Sequence, residues 1–116
     1  MSQAERSVLG AAMLSRKALD EILPMIQPED FERWQDAEIW RSIQALSSAS
    51  QGVDAITVAD ELLRRGDLER VGGAHALHEL TGEVPTAANA GYYAEIMLAD
   101  ALKRRLREGS IAVAQV

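Results

Sequence analysis

His75, His78 and Glu79 are the residues whose types and spacing come nearest to metal chemistry. Three and four positions apart on a helix, the two imidazoles and the carboxylate share one face. The order, however, is H-x-x-H-E, whereas a zinc-protease helix reads H-E-x-x-H, with the general base between the ligands. With two histidines and no cysteine in the chain, a metal would need carboxylates to complete its shell. The expectation is a pair of solvent-facing or half-buried histidines and no metal site.

The other candidates for chemistry are thinner. Gly72 and Gly73 are not followed by the Gly-Lys-Ser/Thr that lets backbone amides and a lysine cradle phosphates. The acidic pair Glu29 and Asp30 follows Pro28 and reads as a helix start, where carboxylates complement the exposed N–H groups. Lys103, Arg104, Arg105 and Arg107 form the densest basic cluster, but acidic residues surround it and it reads as a solvated helix face. No catalytic, cofactor-binding or metal-binding residue is identified, and the residues support neither hydrolysis nor nucleotide binding.

The elements that hold these residues read as helices throughout. Ser2 with Glu5 forms a capping box ahead of Val8, Leu9, Ala12 and Met13, giving a first helix over Ser2 to Leu14. Ser15 caps a second helix that turns Leu19, Ile22 and Leu23 inward. P-E-D-F at Pro28 to Phe31 is a short helical turn with Phe31 as a buried anchor. A third helix spans Gln35 to Ser50, carries Ile39, Ile43 and Leu46 on one face, and stops at Gly52. Trp34 and Trp40 are six residues apart and cannot share a helix face, so one is core and the other partly exposed. Thr57 with Asp60 caps a fourth helix ended by Gly66, and a short helix over Ala74 to Leu80 is stopped by Gly82, with Leu77 and Leu80 inward. No segment alternates with period two, so no strand is assigned.

The last stretch is the longest helix. Thr86 caps it, no proline follows to the end of the chain, and no glycine cap is assigned. Tyr92, Ile96, Ala99, Leu102, Leu106, Gly109, Val113 and Val116 recur about every 3.5 residues as one stripe. Two roles are expected of it: Pro85 to about Leu98 docks on the preceding helices through Tyr92 and Ile96, and Leu102 to Val116 reaches for a partner. The interface residues assigned on this basis are Tyr92, Leu102, Leu106, Val113 and Val116.

Composition bounds the partners. The 116 residues are 47% hydrophobic but only 4% aromatic, the balance of a helical domain packed with Ala, Leu and Ile. A net charge of -6 disfavours direct DNA binding, because an acidic surface repels the phosphate backbone. The lack of cysteine fits a reducing cytoplasm, and no leader or apolar run of membrane-spanning length is read. The expected fold is all-α: a compact head of about six short helices over residues 1–83, then a long amphipathic helix over 84–116.

Five segments carry a family resemblance in order and spacing. They are A-E-R-S-V-L-G-A-A-M-L at Ala4 to Leu14, P-E-D-F at Pro28 to Phe31, V-D-A-I-T-V-A-D-E-L at Val53 to Leu62, G-D-L-E-R-V-G-G at Gly66 to Gly73, and V-P-T-A-A-N-A-G-Y-Y-A-E-I at Val84 to Ile96. Together they resemble the N-terminal domain of the bacterial replicative DNA helicase, the DnaB family, over nearly the whole chain. The resemblance implies a helical head followed by a helical hairpin, of which the last helix here is the first arm. It implies pairing of two such domains through their hairpins, three pairs forming a collar in a hexamer, and docking of primase on that collar.

It also implies that ATP, magnesium and DNA contact belong to a motor domain beyond Val116, so the chain itself needs no cofactor and carries no activity of its own. Two departures stand out. Ala76 occupies the aromatic position of the family's G-G-x-x-Y-L pattern, and D-A-E-I-W at Asp36 to Trp40 has Ala37 or Glu38 where the family carries a histidine. Both leave the fold expectation in place and weaken the expectation of a primase contact at Ala76. The alternative reading is a free-standing regulatory or adaptor domain, from a phage or plasmid, without a motor.

Overall fold

A computed structural model describes residues 2–109, and these residues hold six α-helices, three short 3-10 turns and no strand. The α-helices are α1 (Gln3–Leu14), α2 (Arg16–Ile22), α3 (Trp34–Ser48), α4 (Ala55–Arg65), α5 (Gly73–Gly82) and α6 (Ala90–Arg107). Short 3-10 turns at Pro28–Asp30, Glu69–Val71 and Ala87–Asn89 join them. The chain is all-α, and α1 lies at its centre, packed against α2, α5 and α6.

Local chemistry explains most boundaries. At the start of α1 the Glu5 N–H donates to Ser2 Oγ at 3.1 Å while the Ser2 N–H donates to Glu5 Oε2 at 3.3 Å. Glu5 is itself buried, and its other carboxylate oxygen accepts from the Glu32 N–H at 2.8 Å, so the cap also ties α1 to the loop before α3. Ser15 closes α1 and opens α2, its Oγ accepting from the Ala18 N–H. Leu19 and Ile22 are buried as expected and Leu23 half-buried.

Three stops and two caps differ from the sequence expectation. Helix α3 ends at Ser48 and is followed by Ser50, a non-glycine residue at φ 56°, so the left-handed stop is Ser50 and not Gly52. The Gln51 N–H returns to the Leu46 carbonyl there, so hydrogen bonds to orphaned carbonyls compensate the left-handed residue. The cap of α4 is Asp54 and not Thr57: Asp54 Oδ1 accepts from the Ile56 and Thr57 N–H groups at 2.9 Å, and Thr57 Oγ1 accepts from the Asp54 N–H at 3.0 Å. Aspartate's short acceptor reaches two amides at once, and threonine takes the reciprocal position of the box. Helix α5 runs through Gly82, whereas the left-handed glycines are Gly72 and Gly73 at its start. Gly66, at φ 77°, ends α4 as expected.

The third stop concerns the last helix. Thr86 caps only the 3-10 turn, α6 begins at Ala90, and Gly109 at φ 73° closes it just after Arg107. Gly109 is therefore a helix terminator and not a member of a continuing stripe. Val113 and Val116 lie outside the described residues.

The core is aliphatic around one large ring. Trp40 is fully buried, donates its Nε1–H to the Ile26 carbonyl at 3.1 Å, and lies 5.9 Å from the Phe31 ring. Trp34 is the exposed member of the pair, with the Arg70 guanidinium stacked 4.6 Å from its ring centre. Val8, Leu9, Leu19, Ile22, Ile43, Val58, Leu62, Leu77 and Leu80 fill the remainder, with Ala90, Ala94 and Met97 of α6 in the same core. Gly10 of α1 is where α5 comes closest: a Cβ there would overlap the Leu80 carbonyl oxygen and a Val84 methyl.

Candidate assembly surface

Helix α6 has two apolar faces. Ala90, Ala94, Met97 and Ala101 are buried against the head, a row of small side chains that lets α6 approach α1 and α2 closely. At 3.6 residues per turn, Tyr92, Ile96, Ala99, Leu102 and Leu106 fall on the opposite side. There Tyr92 is 68% exposed, Ile96 53%, Leu102 49% and Leu106 41%. Tyr92 and Ile96 thus do not dock α6 on the head; the alanines and Met97 do. A stripe search weighted toward large side chains selects the outward face, because the inward face is built of alanine. Its one sequence signal is the run of alanines at 90, 94 and 101 in step with Met97.

Beside this outward face lies a shallow groove of about 220 Å³, lined by Gln3, Ala4, Ser7, Pro85, Tyr93 and Ile96. Two further exposed aliphatics, Ile56 and Leu63, stand seven residues apart on α4.

The basic cluster divides by function. Arg105 donates to the buried Asp30 Oδ1 at 2.6 Å and Arg104 to the Asp30 carbonyl at 3.1 Å, so both fasten the end of α6 to the Pro28–Asp30 turn. Asp30 meanwhile accepts from the Gln27 N–H at 2.8 Å. Lys103 and Arg107 remain exposed. The reading of all four as a solvated face therefore holds for two of them. A second long-range pair joins α1 to the end of α5, where Arg6 donates to both Glu83 oxygens, the NH2 bond at 2.7 Å. That contact holds the Glu83 carboxyl below its ordinary range and raises the Arg6 guanidinium.

Histidine chemistry reduces to a surface pair: His75 Nε2 lies 2.7 Å from Glu79 Oε1, one turn away on an exposed face. Among the described residues no group of three or more His, Cys, Asp or Glu side chains gathers as a metal would require. Ala76 is half-buried at a small recess of about 110 Å³ shared with Arg6, Asp36 and Glu79. Asp36 is buried there, its Oδ2 without a hydrogen-bond partner among the described residues, and burial raises its carboxyl above the ordinary aspartate range against the opposing charge of Arg33. No helix among the described residues is long and apolar enough to cross a membrane.

Among the described residues the surface is that of a helical head with an outward apolar helix face. Comparison with known proteins places it in a family. The family described as DnaB-like helicase N terminal domain matches residues 1–99. The chain belongs to that family. The replicative DNA helicase DnaB of Mycobacterium leprae is 47% identical over 112 residues, which is 97% of this chain and 18% of that protein. The replicative DNA helicase DnaC of Bacillus subtilis is 37% identical over 113 residues, 97% of this chain and 25% of that protein. The crystal structure of the N-terminal domain of DnaB helicase from Mycobacterium tuberculosis superposes with a TM-score of 0.90 at 48% identity, covering 93% of this chain and 78% of that one. The chain therefore spans a quarter or less of the length of these two helicases and has the fold of the Mycobacterium tuberculosis DnaB N-terminal domain.

Proposed function

We propose that this DnaB-type domain is the assembly and docking module of a replicative DNA helicase: it pairs through the outward face of α6, supports a hexamer, and offers its head to primase. The observation that carries the reading is the two-sidedness of α6, which spends small residues on the head and leaves Tyr92, Ile96, Leu102 and Leu106 in water. Four large apolar side chains aligned on one helix face are expensive to hydrate and gain by being covered. ATP and magnesium belong, in this reading, to a motor domain elsewhere in the parent protein, and DNA is contacted there and not by this acidic head. Lys103 and Arg107, the exposed cations of α6, face Glu5, Glu32 and Asp100, which balances rather than builds a phosphate site.

Sedimentation decides the assembly part. The 116-residue chain should associate weakly, and a chain extended by about forty residues, enough for a returning helical arm, should associate more tightly. Equal, purely monomeric behaviour of both refutes it. The docking part is checked by titrating primase onto labelled extended chain; absence of binding removes primase as the partner of this head.

A further inference from the structure

Where α1, α3 and α5 meet, Ala76 contributes only a methyl to the recess of about 110 Å³, and the buried Ile39, Val71 and Leu80 supply the rest of its apolar lining. The charged lining is balanced, Arg6 and Arg33 against Asp36 and Glu79. Asp36 is 5% exposed, and its Oδ2 has no hydrogen-bond partner among the described residues. A buried acceptor therefore stands at the recess unsatisfied, a costly condition that a matching donor relieves.

Size and charge select the occupant. Metabolite and cofactor sites run to about 300–1,000 Å³, so this recess holds no more than one ring or side-chain head, or a few ordered waters. A cation would meet Arg6 and Arg33, an anion would meet Asp36 and Glu79, and a plain hydrocarbon would leave Asp36 unpaired. A flat neutral ring with one donor meets none of these objections. Its edges and faces pack on aliphatic side chains and guanidinium planes, and its hydroxyl makes a short, strong bond to a carboxylate.

We propose that the recess is a socket for a p-hydroxyphenyl group, the ring of a tyrosine or of a free phenol, whose hydroxyl donates to Asp36. A turn of the carboxyl about its soft terminal torsion presents Oδ2 to that hydroxyl. Burial holds the empty-handed carboxyl above the ordinary aspartate range, and a donated hydrogen bond acts in the opposite direction. The socket lies on the α3 and α5 side of the head and is independent of the association reading of α6.

The test titrates p-cresol, toluene and N-acetyl-tyrosinamide into the isotope-labelled 116-residue chain, followed by backbone amide NMR shifts. p-Cresol should shift the amides of Asp36, Ile39 and Ala76 with a Kd on the order of 1 mM, and toluene should bind about ten-fold more weakly or worse. Asp36→Ala should erase that preference. N-acetyl-tyrosinamide binding as well as p-cresol assigns a ring carried on a protein chain; p-cresol binding without it assigns a free phenol. Ala76→Tyr fills the socket from within and gives a readout without ligand. It should abolish the p-cresol shifts and unfold at higher urea than Ala76→Phe, which brings the ring without the donor.

Equal binding of p-cresol and toluene overturns the proposal, as do shifts confined to the groove beside Tyr93 and Ile96. The absence of any shift leaves water as the only occupant and likewise overturns it. An Ala76→Phe chain as stable as Ala76→Tyr shows that the hydroxyl does not reach Asp36, with the same result.

Discussion

Neighbouring residues Ile96 and Met97 point to different faces of α6, about 100° apart, and substituting each by alanine separates the role of the helix in folding from its role in association. Met97 is 1% exposed and sits in the core with Ala94. Truncating such a side chain removes its transfer free energy and leaves a cavity, a cost of about 2–5 kcal/mol. For a domain of this size a loss of 2 kcal/mol lowers Tm by about 8 °C. Ile96 keeps half its surface in water, so its truncation forfeits about 1 kcal/mol of partial burial at most, and alanine returns a few tenths as the better helix former.

Urea unfolding at low micromolar concentration, followed by far-UV circular dichroism and by the fluorescence of the buried Trp40, reads both costs on the monomer. Met97→Ala should move the midpoint far more than Ile96→Ala. Sedimentation at high concentration should show the reverse order, with Ile96→Ala losing association and Met97→Ala keeping it while folded. An Ile96→Ala variant that melts as early as Met97→Ala would refute the two-faced description of α6 and restore docking through the large side chains.

Three further outcomes follow from the packing. Leu106→Ser should leave the urea midpoint of the head within about 0.5 kcal/mol, the usual range for an exposed surface substitution, and weaken association; early melting of the head would show the end of α6 to be core. Gly10→Ala, although alanine favours helix by about 1 kcal/mol, should destabilise by a net 1–2 kcal/mol because the added methyl meets the Leu80 backbone carbonyl, which cannot rotate away. Gly52→Ala, with nothing within 4 Å, serves as its control and should be close to neutral. Asp36, whose carboxyl is raised in the folded head, holds its proton more tightly folded than unfolded. Its share of stability is therefore intact below the ordinary aspartate pKa and falls as pH rises through the folded value. The difference in unfolding free energy between wild type and Asp36→Asn, followed against pH, should show that fall, and a flat difference would contradict the burial of Asp36.

The sequence made most of this fold readable where one side chain both marks and makes a boundary. Ser2 with Glu5, Ser15, and Gly66 are legible because capping is a local hydrogen-bond problem that the residue types solve on the spot. Reading failed where two local solutions compete. Asp54 and Thr57 both suit a cap, and the choice falls to Asp54 because its carboxylate reaches two amides while Thr57 completes the box. Gly52 was the obvious stop for α3, but Ser50 took the left-handed position once the Gln51 amide had a carbonyl to return to. The long-range ties were not readable at all: Arg105 with Asp30, seventy-five residues away, and Arg6 with Glu83, seventy-seven away, leave no periodic trace.

The candidate surface shows why periodicity alone misassigns a helix with two apolar faces. A hydrophobic stripe states that a face wants cover, and says nothing about whether the cover is the same chain's core or another molecule. What separates the cases in α6 is residue size. A face that must approach two other helices closely is best made of alanine, with little area for a hydropathy pattern to register, whereas a face that meets a partner gains from large side chains set around one small one. Tyr92 to Leu106 carries large residues flanking Ala99, and Ala90 to Ala101 carries small residues around Met97. The same contrast, read in advance, would have placed the alanines inward and left the large stripe for association, so side-chain volume along each face is the quantity to weigh before deciding which stripe is core.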